Sequence, residues 1–414
     1  SPDAVMQITS LDYSDYIGRL AVGRLRQGTL RTNQTVTHLA ADGTARKARI
    51  SKIFYPKGIR QTEIGEAAAG QIVSVSGLAD FSIGDTISAE ENPRPLPRIQ
   101  VDPPTISMRF MVSDSPFCGL DGGKFLTSNH ILERLEREAV ADVALHVERT
   151  SETGSFLVSG RGVLHLSVLI EKMRRDGYEF AVGRPRVILR RVDGRLLEPI
   201  ESITIDVPEQ HSGAVIEEVS RRRAEMLDMS VDGSQVRLSY DIPARGLIGL
   251  RSKLLSLTRG YAVLQQLFKG YEPLRGVVET RTTGALISKE RGQAVAYALW
   301  KLEDRGTMFI GPGTEVYPGM IVGESSREVD LVINVNKGKQ LTNMRTHASD
   351  DAIILTPHRQ MSLEECLELI NDDECVEVTP KNMRMRKIVL DEAQRRRSPD
   401  SSPNRETDLV GLPR

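Results

Sequence analysis

Short apolar runs broken by glycine dominate the start of the chain. Residues 17–22, 35–39, 47–53 and 71–75 are β-rich, and Gly18, Gly23, Gly28, Gly43, Gly58, Gly65, Gly70 and Gly84 punctuate them. Many short strands at turn-rich spacing, with no long amphipathic helix, predict a small closed barrel. A proline-rich run at 92–97 removes backbone donors and stiffens the chain, as a linker does. Beyond it the periodicity changes. Residues 105–112, 143–148, 155–158 and 179–182 read as strands. A helix over 129–140 places Ile131, Leu132, Leu135 and Ala139 on one face, and a second over 163–174 turns Leu164, Val168 and Met173 inward. The order is βαββαβ, and residues 200–275 repeat it with strands 203–207, 236–242 and 262–268 and helices 214–227 and 248–258. Two split βαβ units in tandem imply two antiparallel sheets, each covered by helices on one face. An open sheet face of this kind binds RNA or a partner, or packs on a neighbouring domain, and fold alone favours neither.

Residues 277–392 are mixed. Strand-like stretches at 295–299, 331–335 and 352–356 accompany one short helix at 363–370, which Ser362 caps with Glu365 as capping-box partner after Pro357. From Arg395 the chain is Ser, Pro, Arg and Asp with little to bury, and disorder is expected. The fold class predicted is multidomain α+β. An N-terminal β-barrel takes residues 1–92, two tandem ferredoxin-like βαββαβ domains 101–192 and 198–276, a mixed α/β C-terminal domain 277–394, and a disordered tail 395–414.

Composition narrows the function. The 414 residues suit several modules at roughly 100 to 200 per domain. No apolar run approaches the ~20 residues of a membrane helix, so no membrane partner is expected. Lys plus Arg is 55 and Asp plus Glu 56, so any basic surface has to be a local patch. Cys118, Cys366 and Cys375 lie far apart without paired spacing, which argues against disulfides and structural zinc and fits a reducing cytoplasm. The sequence begins at Ser1 with neither a signal nor a transit segment, which suggests a piece of a longer protein.

No G-x-x-x-x-G-K-[ST] occurs; Gly119-Leu120-Asp121-Gly122-Gly123-Lys124-Phe125 has the wrong spacing. There is no H-E-x-x-H, no G-x-S-x-G and no Cys-His pair in a catalytic context. His130, His146, His165 and His211 are scattered, and neither a catalytic nor a metal or cofactor site is assigned.

The most distinctive stretch is Asn334-Val335-Asn336-Lys337-Gly338-Lys339-Gln340-Leu341-Thr342-Asn343-Met344-Arg345. It offers a glycine for close backbone approach and Lys337, Lys339 and Arg345 for phosphates. Gln340, Thr342 and Asn343 suit base edges or sugar hydroxyls; a plain solvated loop is the competing reading. Residues 243–253, with Arg245, Arg251 and Lys253, form a glycine-rich start to a helix where backbone N–H groups favour an anion, or else a tight turn. Lys381, Arg384, Arg386 and Lys387, followed by Arg395-Arg396-Arg397, are dense enough for an electrostatic footprint, or form a solvated face. Arg221-Arg222-Arg223 is a weaker case.

At these residues a resemblance emerges. Gly18-Arg19-Leu20-Ala21-Val22-Gly23-Arg24 with Gly28 resembles the β-barrel second domain of translational GTPases. Ser159-Gly160-Arg161-Gly162-Val163-Leu164-His165-Leu166 is similar to the G-R-G-E-L-H-L signature of their third domain, with Val163 in place of Glu, so any role of that carboxylate is unsupported. Glu209-Gln210-His211-Ser212-Gly213, residues 243–249 and 337–345 resemble the BipA/TypA branch, ribosome-associated GTPases related to elongation factor G. The match runs from about residue 5 to 397, and Gly-Lys-Gln-Leu-Thr-Asn-Met-Arg is specific to that branch. The tail after Ser398 has no counterpart.

The resemblance implies a translation factor built from a GTPase domain, a barrel, two ferredoxin-like domains and a branch-specific C-terminal domain, of which this chain holds the last four. GTP and Mg would belong to the absent N-terminal domain, so this chain would neither bind nor hydrolyse GTP. Its partners would be the ribosome, chiefly the A-site region of the large subunit with both subunits touched, together with rRNA and the acceptor end of tRNA. The matching loop positions are Lys337, Lys339, Gln340, Thr342, Asn343 and Arg345. Roles in large-subunit assembly, cold growth and stress, and a monomer in the cytoplasm or the chloroplast stroma, follow from the same resemblance. Competing classes are an autonomous ribosome-interaction module without GTPase activity and an enzyme with its own site in the C-terminal region; no spacing supports the latter.

Overall fold

The computed structural model describes residues 3–338 apart from 15, 41, 59, 91–92, 98, 100–101, 277, 279–280 and 282, together with residues 354–397. The chain forms two compact units, Ser1–Pro104 with Leu132–Val147, and Thr105–Ile131 with Glu148–Arg414.

In the first unit, eight antiparallel strands run in the order Ala45–Arg49, Thr35–Leu39, Thr86–Ser88, Val5–Ser14, Gly18–Gln27, Ile72–Val75, Ile53–Lys57 and Arg60–Ile64. The sheet curls around one core to which nearly every strand contributes, including Met6, Ile8, Ala21, Leu25, Val36, Ile53, Val73 and Ile87. Gly23 of the barrel-like motif is required by close strand approach, because a Cβ there would fall 2.1 Å from the Gln7 carbonyl oxygen. His38 Nε2 and Asp85 Oδ2 meet at 2.8 Å inside this core.

The second unit holds two sheets of the split βαβ kind. The first runs Ser155–Gly160, Ile106–Met111, Phe180–Gly183 and then, from far along the chain, Glu374–Val378 and Met383–Lys387. The late hairpin pairs antiparallel with Phe180–Gly183, Val182 opposite Val376. The helix Val163–Arg175 corrects the predicted inward face. Leu166, Leu169, Ile170 and Met173 are buried, whereas Leu164 and Val168 are 64% and 47% exposed. The helix has apolar residues all round, and its packing selects the denser stripe.

The other sheet runs Glu225–Asp232, Gln235–Pro243, Arg195–Pro208 and Val263–Pro273, with the helices Glu209–Arg221 and Leu250–Leu257 packed over Ile203, Ile205, Leu238, Tyr240 and Ile242. The helix expected at 214–227 ends at Arg221. Arg223 takes a left-handed φ of 64°, and residues 225–232 are a strand absent from the sequence reading. That strand is an edge whose residues are all exposed, so it carries no buried alternation to betray it. Its one local signal is Asp232-Gly233 before a two-residue hairpin turn, Asp232 pairing with Gln235.

A four-stranded sheet, in the order Gly306–Met308, Ile321–Ser325, Ala285–Ser288 and Leu331–Ile333, completes the unit. The strand expected at 295–299 is the helix Ala296–Leu302, an alanine-containing segment burying Ala298 and Leu299 on one side. Of 352–356, residues 354–356 are described and form no strand. Phe117 joins Leu286, Leu299, Tyr317, Val322 and Val335 in one core, so residues after 277 complete both a sheet and a core begun by residues 105–187. Helix Leu363–Leu369 starts with the expected capping box of Ser362 and Glu365. Arg395, Arg396 and Arg397 lie in the helix Glu392–Arg397, contrary to the disorder expected from 395; residues 398–414 lie outside the described residues.

Candidate nucleic-acid interface

The distinctive loop leaves the sheet after Leu331–Ile333, and its stem is firmly tied. The Lys289 N–H donates to the Ile333 carbonyl and the Val295 N–H to the Val335 carbonyl, each at 2.9 Å, and Val335 is fully buried. Asn336 donates its backbone N–H to Asn334 Oδ1 and its side-chain amide to the Glu290 carbonyl. Lys337 follows, exposed, beside the turn that carries exposed Lys289 and Arg291. Lys339, Gln340, Thr342, Asn343 and Arg345 lie outside the described residues. On the returning side, the Thr356 N–H donates to Glu303 Oε1 at 2.7 Å and the Arg359 N–H to the Met308 carbonyl. The described residues on both sides of this segment are thus tied to the same unit.

The glycine-rich start at 243–253 is built differently from the expected anion cradle. Gly249, at φ 74°, precedes the helix Leu250–Leu257, but the carboxylate of Glu368 already lies against it and accepts from Ser252 Oγ at 3.1 Å. The negative charge that this helix start favours is the protein's own, and burial pushes the Glu368 carboxyl up against the pull of Ser252. Arg245 is spent inward, forked onto buried Glu198 and onto the Arg275 and Gly276 carbonyls. Arg251 and Lys253 are exposed.

The C-terminal cations divide in the same way. Lys381 is exposed. Arg384 bridges Glu377 and Asp121, Arg386 pairs with Asp114, and Lys387 reaches Asp330, Asp373 and Glu374 at 2.6, 2.7 and 2.9 Å. Arg386 and Lys387 are each 2% exposed. Burial alone would depress the Lys387 ammonium; the three carboxylates outweigh it and hold it above its ordinary value. Charge density marks these three side chains for an RNA footprint, and the structure spends them instead on carboxylates of the same chain. The open face of the second sheet, which register assigns to Ser202, Thr204, Asp206, Arg237, Ser239, Asp228, Ser230, Val263, Gln265 and Leu267, carries no aromatic side chain at these positions, and Asp206 neutralises Arg237.

With this geometry in place, the comparisons with known proteins decide the family. Residues 283–392 match the TypA/BipA C-terminal domain, 195–282 the elongation factor G C-terminus, 127–184 elongation factor G domain III, and 18–88 elongation factor Tu domain 2. The large ribosomal subunit assembly factor BipA of Bacillus subtilis is 47% identical over 394 residues, and that of Salmonella typhimurium 49% over 395; each alignment covers 95% of this chain. That of Synechocystis sp. is 47% identical over 385 residues, 92% of the chain. The chain belongs to the BipA/TypA family. It spans 64% to 65% of the length of these relatives.

Proteins of this family imply GTP and Mg, and the residues present here do not fit them. In the glycine-lysine turn over residues 119–124, the Gly119 N–H already donates to the Glu179 carboxylate, at 3.1 and 3.2 Å to its two oxygens. Burial pushes that carboxyl up against the pull of the Gly119 N–H, and a phosphate there would meet an acid. Among the described residues no group of three His, Cys, Asp or Glu is placed to hold a metal, and no helix is long and apolar enough to cross a membrane.

Sequence reasoning missed Lys289 and Arg291, whose only signal is a Lys-Glu-Arg-Gly turn distant in sequence from the loop it flanks. It also missed Trp300, the single tryptophan, 49% exposed on helix Ala296–Leu302 beside Lys301.

Proposed function

We propose that this chain is the ribosome-, rRNA- and tRNA-docking part of a BipA/TypA-type translational GTPase that serves large-subunit assembly and translation under cold or stress. Its arrangement is a translation-factor barrel, two ferredoxin-like domains and the family-specific C-terminal domain, acting as a monomer in the cytoplasm. GTP and Mg are bound by a part of such proteins that this chain does not span. Docking is electrostatic. Cations at the loop displace counterions from phosphates in the A-site region of the large subunit, and amides and a hydroxyl read the tRNA acceptor end.

The observation that carries this reading is the doubly anchored stem, with Lys337, Lys289 and Arg291 exposed where the family-specific segment begins. Arg251, Lys253 and Lys381 remain as secondary contacts; Arg245, Arg384, Arg386 and Lys387 are withdrawn. The test is co-sedimentation with ribosomes across a salt series, comparing the wild type with a Lys337→Ala/Lys339→Ala/Arg345→Ala variant. Loss of affinity together with part of the salt slope supports the loop. Equal binding by both proteins overturns it, and absence of binding by either shows that docking needs more of the protein than this chain.

A further inference from the structure

Beside the returning end of the loop, a cavity of about 300 Å³ opens between helix Ala296–Leu302, strand Gly306–Met308 and residues 355–358. Leu299, Met308, Ile310 and Leu355 form its apolar floor, and Glu303, Thr307, Thr356 and His358 supply polar groups. Glu303 Oε1 is held by the Thr356 N–H. Its second oxygen, the Thr307 hydroxyl and the His358 ring carry no hydrogen bond among the described residues. The His358 ring itself lies close against Gly311, where a Cβ would come within 3.1 Å of it.

We propose that this cavity binds an unpaired guanine base. Its volume sits at the low end of ligand clefts, roughly 300 to 1,000 Å³, which suits one heterocycle rather than an extended cofactor. An apolar floor accepts the flat face of a base, and the His358 ring is available to stack on it. Glu303 selects the edge. A carboxylate repels phosphate and only accepts hydrogen bonds, so what it meets must donate. Guanine offers N1–H and N2–H side by side to one carboxylate, whereas adenine and cytosine offer one amino group and uracil one N–H. Lys301 and Arg305, two residues either side of Glu303, are exposed, and the Lys301 ammonium lies over the Tyr297 ring, so the nearby cations do not line the cavity and the base edge alone carries the selection. The assignment rests on the RNA-docking reading only for the source of the base, since a free guanine nucleotide presents the same chemistry.

The test uses the whole chain, with binding read by equilibrium dialysis and by fluorescence of Trp300, which adjoins Leu299 of the cavity floor. The ligands are GMP, AMP, UMP and a short RNA hairpin with one unpaired guanine or adenine in its loop. GMP is expected to saturate and to bind several-fold tighter than AMP. Glu303→Gln keeps an acceptor for the Thr356 N–H but turns an amide donor toward guanine, so the preference disappears while the melting temperature holds. A guanine hairpin tighter than GMP assigns the site to RNA, and equal affinity assigns it to free nucleotide. Absence of saturable binding, equal binding of GMP and AMP, or an unchanged preference in Glu303→Gln overturns the proposal. Loss of ribosome binding in the loop variant with the guanine preference intact leaves the cavity assigned; if that variant binds ribosomes normally, the docking reading alone fails.

Discussion

Two sets of cations in the second unit are alike in sequence and opposite in use. Lys289, Arg291 and Lys337 stand exposed around the loop stem, while Arg384, Arg386 and Lys387 lie within or at the rim of the core against Asp114, Asp121, Asp330, Asp373, Glu374 and Glu377. What separates them is pairing. The hairpin carrying the second set becomes the last two strands of a sheet begun by residues 106–183; Glu374 and Glu377 face it from its own first strand, and Asp114, Asp121 and Asp330 converge on it from distant segments. The lesson is that a basic run marks a nucleic-acid surface only when its counter-charges lie elsewhere.

The contrast can be broken most forcefully at Lys387. Lys387→Met leaves three carboxylates without their shared cation and should destabilise the fold by about 3–5 kcal/mol, read as a lower denaturant midpoint. A change within experimental error would mean that this cation is as dispensable as those at the stem.

A buried acid without a cation sharpens the point from the other side. Glu201, 6% exposed and opposite Ile242 and Phe268 in register, has its carboxyl pushed up by burial to about 7 from an ordinary 4.5. Below pH 4.5 both folded and unfolded chains hold this proton, and Glu201 costs nothing. As pH rises from 4.5 through 7, the unfolded chain ionises first, and the penalty grows to roughly 3 kcal/mol. Glu201→Gln should therefore stabilise the protein at pH 8 and not at pH 4, in urea unfolding at the two values. A pH-independent effect would refute the assignment.

The smallest stability effect belongs to the stem. Lys289→Ala and Arg291→Ala should each shift stability by less than about 0.5 kcal/mol. If each meets one phosphate, each should also lower the salt slope of ribosome binding by roughly 0.7–0.9. A large loss of stability would place these side chains with the hairpin set.

Much of this architecture was legible locally. The Ser362–Glu365 capping box, the helix from Val163, the strands over 106–111 and 235–243 and the glycine-punctuated sheet of the first unit all follow from short-range pattern. The strand Glu225–Asp232 was not legible, because an exposed edge has no periodicity. Nor was the inward face of Val163–Arg175, because two apolar stripes compete there. At the candidate site, the loop stem was visible as composition, but its flanking cations and the cavity around Glu303 join residues tens of positions apart.

The sequence by itself determined the period of most elements, their caps, the family motifs and the absence of a phosphate loop, since each depends on neighbours within a few residues. Only the tertiary structure decided which charges face water. Desolvation and ion pairing are properties of position in space: Glu374 faces Lys387 across the hairpin itself, whereas Asp330 reaches the same ammonium from the segment just before strand Leu331–Ile333, which no local pattern foretells.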